Sequence, residues 1–186
     1  IGFCLVGSEM CIRDRIKEKK LPLKANVKIL EGEETTHFSI LDKWGNAVSN
    51  TYTLNTAYGS GIIPNGTGIL MNNEMDDFSS KPGYPNVYGL VGSEANKIEP
   101  KKTPLSSMSP VIVFRYEKPY LITGSPGGST IITSVLQEIL NVLDFQMSLE
   151  ESSEKSRIHF QHLPDILFHE EFLSLIHISE PTRQKP

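Results

Sequence analysis

The chain has 186 residues, 18 basic and 22 acidic side chains for a formal net charge of −4, and 38% hydrophobic residues. That length suffices for a single hydrophobic core, and a mildly acidic balance without a basic stripe argues against nucleic acid as the main partner. No apolar run approaches the roughly 20 residues that a membrane-spanning helix needs.

Taken in chain order, the two ends explain each other. "LVGSEMCIRDR" (5–15) and "LSLIHISEPTR" (173–183) can both be encoded by one DNA string read on opposite strands. We therefore expect residues 1–15 and 173–186 to be a translated transposase-type sequencing adapter flanking a short insert, and they are set aside as processing scars are. Cys4 and Cys11 both fall there, which leaves no disulfide framework, CxxC redox pair or cysteine zinc site to consider. Setting aside Arg13, Arg15, Arg183 and Lys185 with Glu9, Asp14 and Glu180 makes the balance one unit more negative. The stretch between reads as a window cut from a longer gene, so a native start and any export signal are expected outside it.

Residues 16–34, "IKEKKLPLKANVKILEGEE", are polar and charged and read as the tail of an upstream segment. "THFSILD" and "NAVSNTYTL" are β-branched and aromatic runs around the turn "DKWGN", which predicts a β-hairpin near 36–54. "TGILMN" (67–72) is a candidate short strand. Residues 76 to about 105 carry Pro82, Pro85, Pro100 and Pro104 among scattered glycines and read as a long ordered loop, of the kind that often serves as a lid. "PVIVFRY" and "PYLITG" around "EKP" predict a second hairpin. After "SPGGS", Ile131, Ile132, Val135, Leu136, Ile139, Leu140 and Leu143 recur at helical spacing. Ser148 with Glu151 forms a capping-box pattern that opens a helix to about Arg157, and "DILFHEE" is a candidate final strand. Antiparallel hairpins with helices give an α+β layered domain.

Four stretches carry possible chemistry. In "ETTHFS" a threonine hydroxyl inside a chain is a poor nucleophile, and common strand chemistry accounts for it. If the Glu34–Thr35 bond breaks, the freed α-amine of Thr35 becomes the adjacent base that activates its own hydroxyl, since that amine titrates nearer neutrality than a lysine. "TGSPGGST" (123–130) takes a strand through a proline and two glycines into a helix; it reads either as a tight strand-to-helix turn or as an oxyanion hole. It is not a phosphate loop, because no lysine follows. "NNEMDD" offers Glu74, Asp76 and Asp77, which suit a metal, an acid–base pair or an ammonium group, and spacing does not choose among these. "PLSSMSP" offers paired hydroxyls at Ser106 and Ser107. His159, His162 and His169 lack the placed glutamate of a zinc-protease helix and read as structural.

In order and wording, "TTHFSILDKWGNAVSNTYTLNTAYGSGI", "GILMNNEMDDFS", "PNVYGLVG", "PLSSMSP" and "TGSPGGSTIITSVLQ" resemble the small subunit of gamma-glutamyltransferase, an N-terminal-nucleophile hydrolase, from about Thr35 to about Glu170. The resemblance implies a fragment of a four-layer αββα sandwich, incomplete at both ends, with 16–34 as the tail of a large subunit and 35–172 as part of the catalytic small subunit. It implies self-cleavage between Glu34 and Thr35, with Thr35 then attacking a γ-glutamyl donor such as glutathione to form an ester. Water or an acceptor amino acid or dipeptide resolves that ester. Thr53 matches the threonine that supports the nucleophile, and Gly127 and Gly128 match the oxyanion hole. Asn55, Glu74 and Asp77 match residues that hold the amino-acid end of the γ-glutamyl group, while Ser106 and Ser107 match those on its α-carboxylate. Pro82 to Ser93, with Tyr88, resembles the lid of bacterial members. The large subunit of the same precursor is the implied partner, no cofactor or metal is implied, and periplasmic or secreted localisation follows from bacterial members alone.

The window departs from the family pattern in three ways. Glu74 stands where many bacterial relatives have glutamine. A large-subunit arginine that pairs with the substrate carboxylate lies outside the window, as do the last small-subunit strands, so the chain by itself is not expected to form an active site. The competing readings are a related amidase acting on another acyl group, an uncleaved homologue acting as a scaffold, and a plain β-rich binding module. Retention of Glu74, Asp77, Ser106 and Ser107 favours a free amino-acid end on the substrate over a glutaryl group.

Overall fold

A computed structural model describes residues 34–86, 88–161 and 166–170. Residues 1–15 and 173–186, expected to be adapter, the stretch expected to be an upstream tail before Glu34, and His162 lie outside the described residues.

The first hairpin pairs β1 (Thr35–Leu41) with β2 (Ala47–Thr53), antiparallel, with Thr35 opposite Thr53 and Leu41 opposite Ala47. Its turn is closed by Asp42, whose carboxylate accepts from the Trp44 and Asn46 N–H groups at 2.8 Å each and from Asn46 Nδ2 at 2.7 Å. These bonds hold the Asp42 carboxyl below its ordinary value. Gly45, at φ +91°, takes the left-handed position the turn requires.

Alternation along this hairpin is inverted relative to an ordinary half-buried sheet. Thr35, His37 and Ser39 share one face with Thr53, Thr51 and Ser49, and this hydroxyl-rich face, half-buried except at the exposed Ser39, is turned toward Ile122 and Thr123. Ser39 Oγ donates to the Ile122 carbonyl at 3.0 Å, and Ser49 Oγ donates to the Thr123 carbonyl at 2.8 Å. The opposite face carries Phe38, Ile40, Val48 and Tyr52, between 41% and 56% exposed, with Phe38 and Tyr52 in edge-to-face contact.

The second hairpin is β3 (Val111–Arg115) with β4 (Lys118–Thr123), joined by Tyr116 and Glu117, both at positive φ. Its turn therefore lies ahead of the expected "EKP", and Pro119 sits inside β4. The register shifts between Val113 and Phe114, opposite Pro119, so the residue without an N–H falls where the ladder is already interrupted. Leu121 and Thr123 of β4 are buried, as are Ile131 and Val135 of α1 (Ile131–Leu143). Thr123 Oγ1 donates to Glu138 Oε2 at 2.5 Å, so one face of β4 is tied to the helix. Two stacked hairpins with a helix behind the second make the layering, and with Phe78 these apolar residues form the core.

The remaining elements correct the expectations in detail. α2 (Leu149–Glu154) has the expected capping box at Ser148 but stops short of Arg157. Arg157 is held instead in the extended pair of β5 (Ile158–His159) and β6 (Phe168–His169), where its N–H and Nε donate to Glu170 at 2.8 and 3.0 Å. The 67–72 stretch is a loop rather than a strand. Gly66 and Gly68 lie at φ +78° and +67°, which breaks the extended run, and only Met71 makes ladder-like bonds, to Ile62 and Ser60. The long loop is ordered by two short 3₁₀ turns, Glu74–Asp77 and Glu94–Asn96, and by bridges pairing Ser79 with Lys97 and Pro85 with Val91.

Candidate active site

β1 begins at Thr35 and β2 ends at Thr53, so the hairpin register alone sets the two threonines side by side. Thr35 Oγ1 donates to Thr53 Oγ1 at 3.2 Å. The Thr53 hydroxyl also accepts from the Asn55 N–H at 2.9 Å and donates its one proton to the Glu34 carbonyl at 3.3 Å. One oxygen thus touches the candidate nucleophile, the carbonyl in front of it and the next residue of the chain. Asn55 is buried and left-handed, at φ +74°, a conformation that asparagine adopts more readily than most residues.

A cavity of about 540 Å³ opens in front of this pair. Thr35, Thr53, Asn55, Glu74, Asp77, Tyr88, Ser106, Ser107 and Gly128 all line it, drawn from strand, loop and turn. Glu34 and Gly127 are not among its lining residues. Asp76 also borders it.

The acidic 3₁₀ turn places Glu74 and Asp77 within hydrogen-bonding distance of each other's carboxyls. Burial, then the bond to Asp77 and its negative charge, push Glu74 up to about 7. Burial and the neighbouring Asp76 charge raise Asp77 as well, against the opposing effect of its bond with Glu74. Near neutral pH the pair is therefore partly protonated, and an incoming cation would displace that proton. Among the described residues no group of three or more His, Cys, Asp or Glu side chains is arranged to hold a metal ion.

At the other wall, Gly127 and Gly128 lie at φ +128° and +56°. A Cβ on Gly127 would stand 2.4 Å from Thr130 Oγ1, and one on Gly128 would stand 3.1 Å from the Tyr88 ring. Neither position admits a side chain without displacing its neighbour. The turn closes on the Gly127 carbonyl, which accepts from both the N–H and the hydroxyl of Thr130. Tyr88 crosses from the loop to cover Gly128, and its hydroxyl donates between the Asn55 carbonyl and Oδ1 at 3.0 and 3.1 Å. Burial, with nearby Glu34 and the acidic turn, raises the Tyr88 phenol, which keeps it a donor.

Three residues in supporting positions escape a motif reading. Asn96 Nδ2 donates to the Asp77 carbonyl at 2.7 Å while its Oδ1 accepts from the Leu105 N–H at 3.1 Å, joining the acidic turn to the serine segment. His37 bonds Thr51 and Ser39 and rests against Gly124, just before the glycine turn. Gln161 reaches the Tyr88 carbonyl from behind. Only His37 had a legible cue, a histidine on the alternation of a strand. His159 is satisfied by Thr133 and Gln161, whereas His169 bonds the Glu170 carbonyl through Nδ1 alone and its buried Nε2 meets no partner among the described residues.

A family model for gamma-glutamyltranspeptidase matches residues 10–184. The glutathione hydrolase proenzyme of Escherichia coli strain K12 is 58% identical over 137 residues, 74% of this chain and 24% of that protein. The chain spans about a quarter of the length of the curated relatives it matches. A mutant gamma-glutamyltranspeptidase of Helicobacter pylori shares 59% identity at a TM-score of 0.71, with 74% of each chain covered. An acivicin-inhibited gamma-glutamyltranspeptidase, whose C-terminus is described as critical for autoprocessing and catalysis, gives 0.70 at 55% identity over 79% of this chain and 75% of that one.

Proposed function

The chain belongs to the gamma-glutamyltranspeptidase family of N-terminal-nucleophile hydrolases, and we propose that it carries the nucleophile and most of the donor pocket of an enzyme that cleaves itself before Thr35 and then transfers or hydrolyses γ-glutamyl groups. The observation that carries this reading is the Thr53 hydroxyl, which bonds the Thr35 oxygen and the carbonyl of the bond to be cut.

In self-cleavage, Thr35 Oγ attacks the Glu34 carbonyl carbon, and the Thr53 hydroxyl donates to the oxygen as it gains charge. The C–N bond breaks as the Thr35 nitrogen takes the proton given up by the attacking hydroxyl, and water hydrolyses the resulting ester, freeing the Glu34 carboxylate. The free α-amine then accepts the Thr35 hydroxyl proton as the oxygen attacks the γ-carbonyl of the donor. The Gly127 and Gly128 N–H groups receive the oxyanion. Collapse expels the donor's amine, protonated by the α-ammonium, and leaves a γ-glutamyl ester on Thr35. Water, or the amine of an amino acid or dipeptide, resolves it.

A γ-glutamyl donor carries both charges of a free amino acid at the end remote from the reacting carbonyl. Glu74 and Asp77 suit its ammonium, Ser106 and Ser107 its carboxylate, and Asn55 links the Thr53 hydroxyl to the Asn73 carbonyl that precedes the acidic turn. Glutathione is the donor we favour, in keeping with the names of the relatives. The uncovered apolar face of the first hairpin supports a further segment of the same precursor, its large subunit, as partner. Export to the periplasm or medium is part of the same proposal.

The test is the intact mass of the full-length protein and of its Thr35→Ala variant. Two fragments, the smaller beginning at Thr35, with an uncut and inactive variant, is the expected outcome. Normal cleavage in the variant would overturn the nucleophile assignment.

A further inference from the structure

The back of the Tyr88 segment is tied to the helix that begins at the glycine turn. Thr133 on α1 bonds His159 Nδ1 at 2.8 Å, and His159 Nε2 bonds Gln161 Oε1 at 3.0 Å. Gln161 Nε2 then donates to the Tyr88 carbonyl at 3.3 Å. The origin of this chain is rigid. The Gln137 amide on α1 donates to the Ile158 carbonyl at 2.7 Å and accepts its N–H at 3.0 Å, gripping β5 as a neighbouring strand would. His159 is 5% exposed and packs on Phe168 at 5.9 Å between ring centres. Burial holds its pKa below the ordinary histidine value, so the neutral ring presents one donor. With the proton on Nε2, the ring donates to Gln161 Oε1 and thereby orients the amide with its NH₂ toward Tyr88. The Thr133 hydroxyl then lies between two acceptors, Nδ1 and the Thr130 carbonyl.

From these contacts we infer that Gln161 is the positioning residue for Tyr88. It makes the ring over Gly128, and the Asn55 conformation that ring's hydroxyl holds, part of one rigid body with α1 and the glycine turn. The inference rests on the donor-pocket reading above. Through Tyr88, the same body spans the pocket wall at Asn55 and the oxyanion turn at Gly128, so the width between them is set from behind by one amide.

Gln161→Glu tests this with nearly unchanged shape. It keeps the acceptor for His159 and replaces the amide donor by an oxygen facing the Tyr88 carbonyl. Gln161→Met removes both bonds at similar volume. In the full-length protein each variant is expected to self-cleave at the normal rate, since neither touches Thr35 or Thr53. Donor KM should rise about five- to tenfold, the effect of one lost hydrogen bond, with kcat changed less than about twofold. In a Tyr88→Phe background the same substitutions should add almost nothing to KM, because the bond from Tyr88 to Asn55 is already gone. Amide hydrogen exchange over residues 84–92 should quicken by a similar factor, while residues 35–53 are unchanged. An unchanged KM in both variants, or an equal rise in the Tyr88→Phe background, would overturn the inference. If the full-length protein showed neither self-cleavage nor γ-glutamyl turnover, the functional reading would fail. Hydrogen exchange would still decide the anchor: unaltered exchange at 84–92 refutes it.

Discussion

Replacing Thr53 with valine keeps the branched shape that suits the end of β2 and removes a single oxygen. That oxygen makes three bonds, to Thr35 Oγ1 at 3.2 Å, to the Asn55 N–H at 2.9 Å and to the Glu34 carbonyl at 3.3 Å. The third becomes the dominant loss during self-cleavage, because the Glu34 oxygen carries the charge of the tetrahedral state. Removal of one such donor costs about 2.7–4 kcal/mol, or roughly 100- to 1,000-fold in rate. The Asn55 N–H loses its partner too, at about 1–3 kcal/mol of stability if it stays buried and unpaired. Thr53→Ser keeps the oxygen and should cleave within about tenfold of the unaltered protein. The assay is the decay of purified full-length precursor followed by intact mass. Cleavage of Thr53→Val within about threefold of the unaltered rate would show that the hydroxyl does not polarise the bond being cut.

Glu74, raised to about 7, should make donor binding depend on pH: KM falls as pH rises through that value, and Glu74→Gln flattens the profile. The same shift opposes stability. The folded chain keeps a proton that the unfolded chain releases near 4.5, so the contribution present at low pH is lost between about 4.5 and 7, and a Tm series should show Glu74→Gln less sensitive over that window. Gly124→Ala would place a Cβ 2.2 Å from the His37 ring, an overpacking that costs about 1–3 kcal/mol; an unchanged Tm would mean the hairpins part easily. Asn96→Ala breaks the link from the Asp77 carbonyl to the Leu105 N–H, so donor KM should rise roughly tenfold with self-cleavage intact. Loss of self-cleavage in that variant would assign Asn96 to folding.

Local pattern carried the hairpins, α1 and the capping box, because period and turn chemistry are properties of neighbouring residues. It failed where a distant partner decided the outcome. Arg157 leaves the helix for Glu170, and the 158–159 strand exists only by pairing with 168–169. Period 2 located β1 and β2 but says nothing about which face is inside, and hydrophobicity names the wrong one. The hydroxyl face is the one turned toward the second hairpin because the carbonyls of β4 lie across from it, a fact about another segment. At the cavity, nine residues picked out by resemblance line the wall and Glu34 and Gly127 do not, whereas Asn96 and Gln161 act through side-chain bonds to backbone that no spacing announces.

The serine bonds between the two hairpins bear on how this protein tolerates change. An oily interface between sheets has an area to conserve and can slide or repack when one side chain is exchanged. Here the interface has a thread pitch: Ser39 and Ser49 each engage one numbered carbonyl, and a slip by one residue would lose both bonds together. The strand that begins at Thr35 and the strand that delivers the chain to Gly127 are therefore meshed like gear teeth. Substitutions elsewhere can loosen the body of the protein without changing the offset between them.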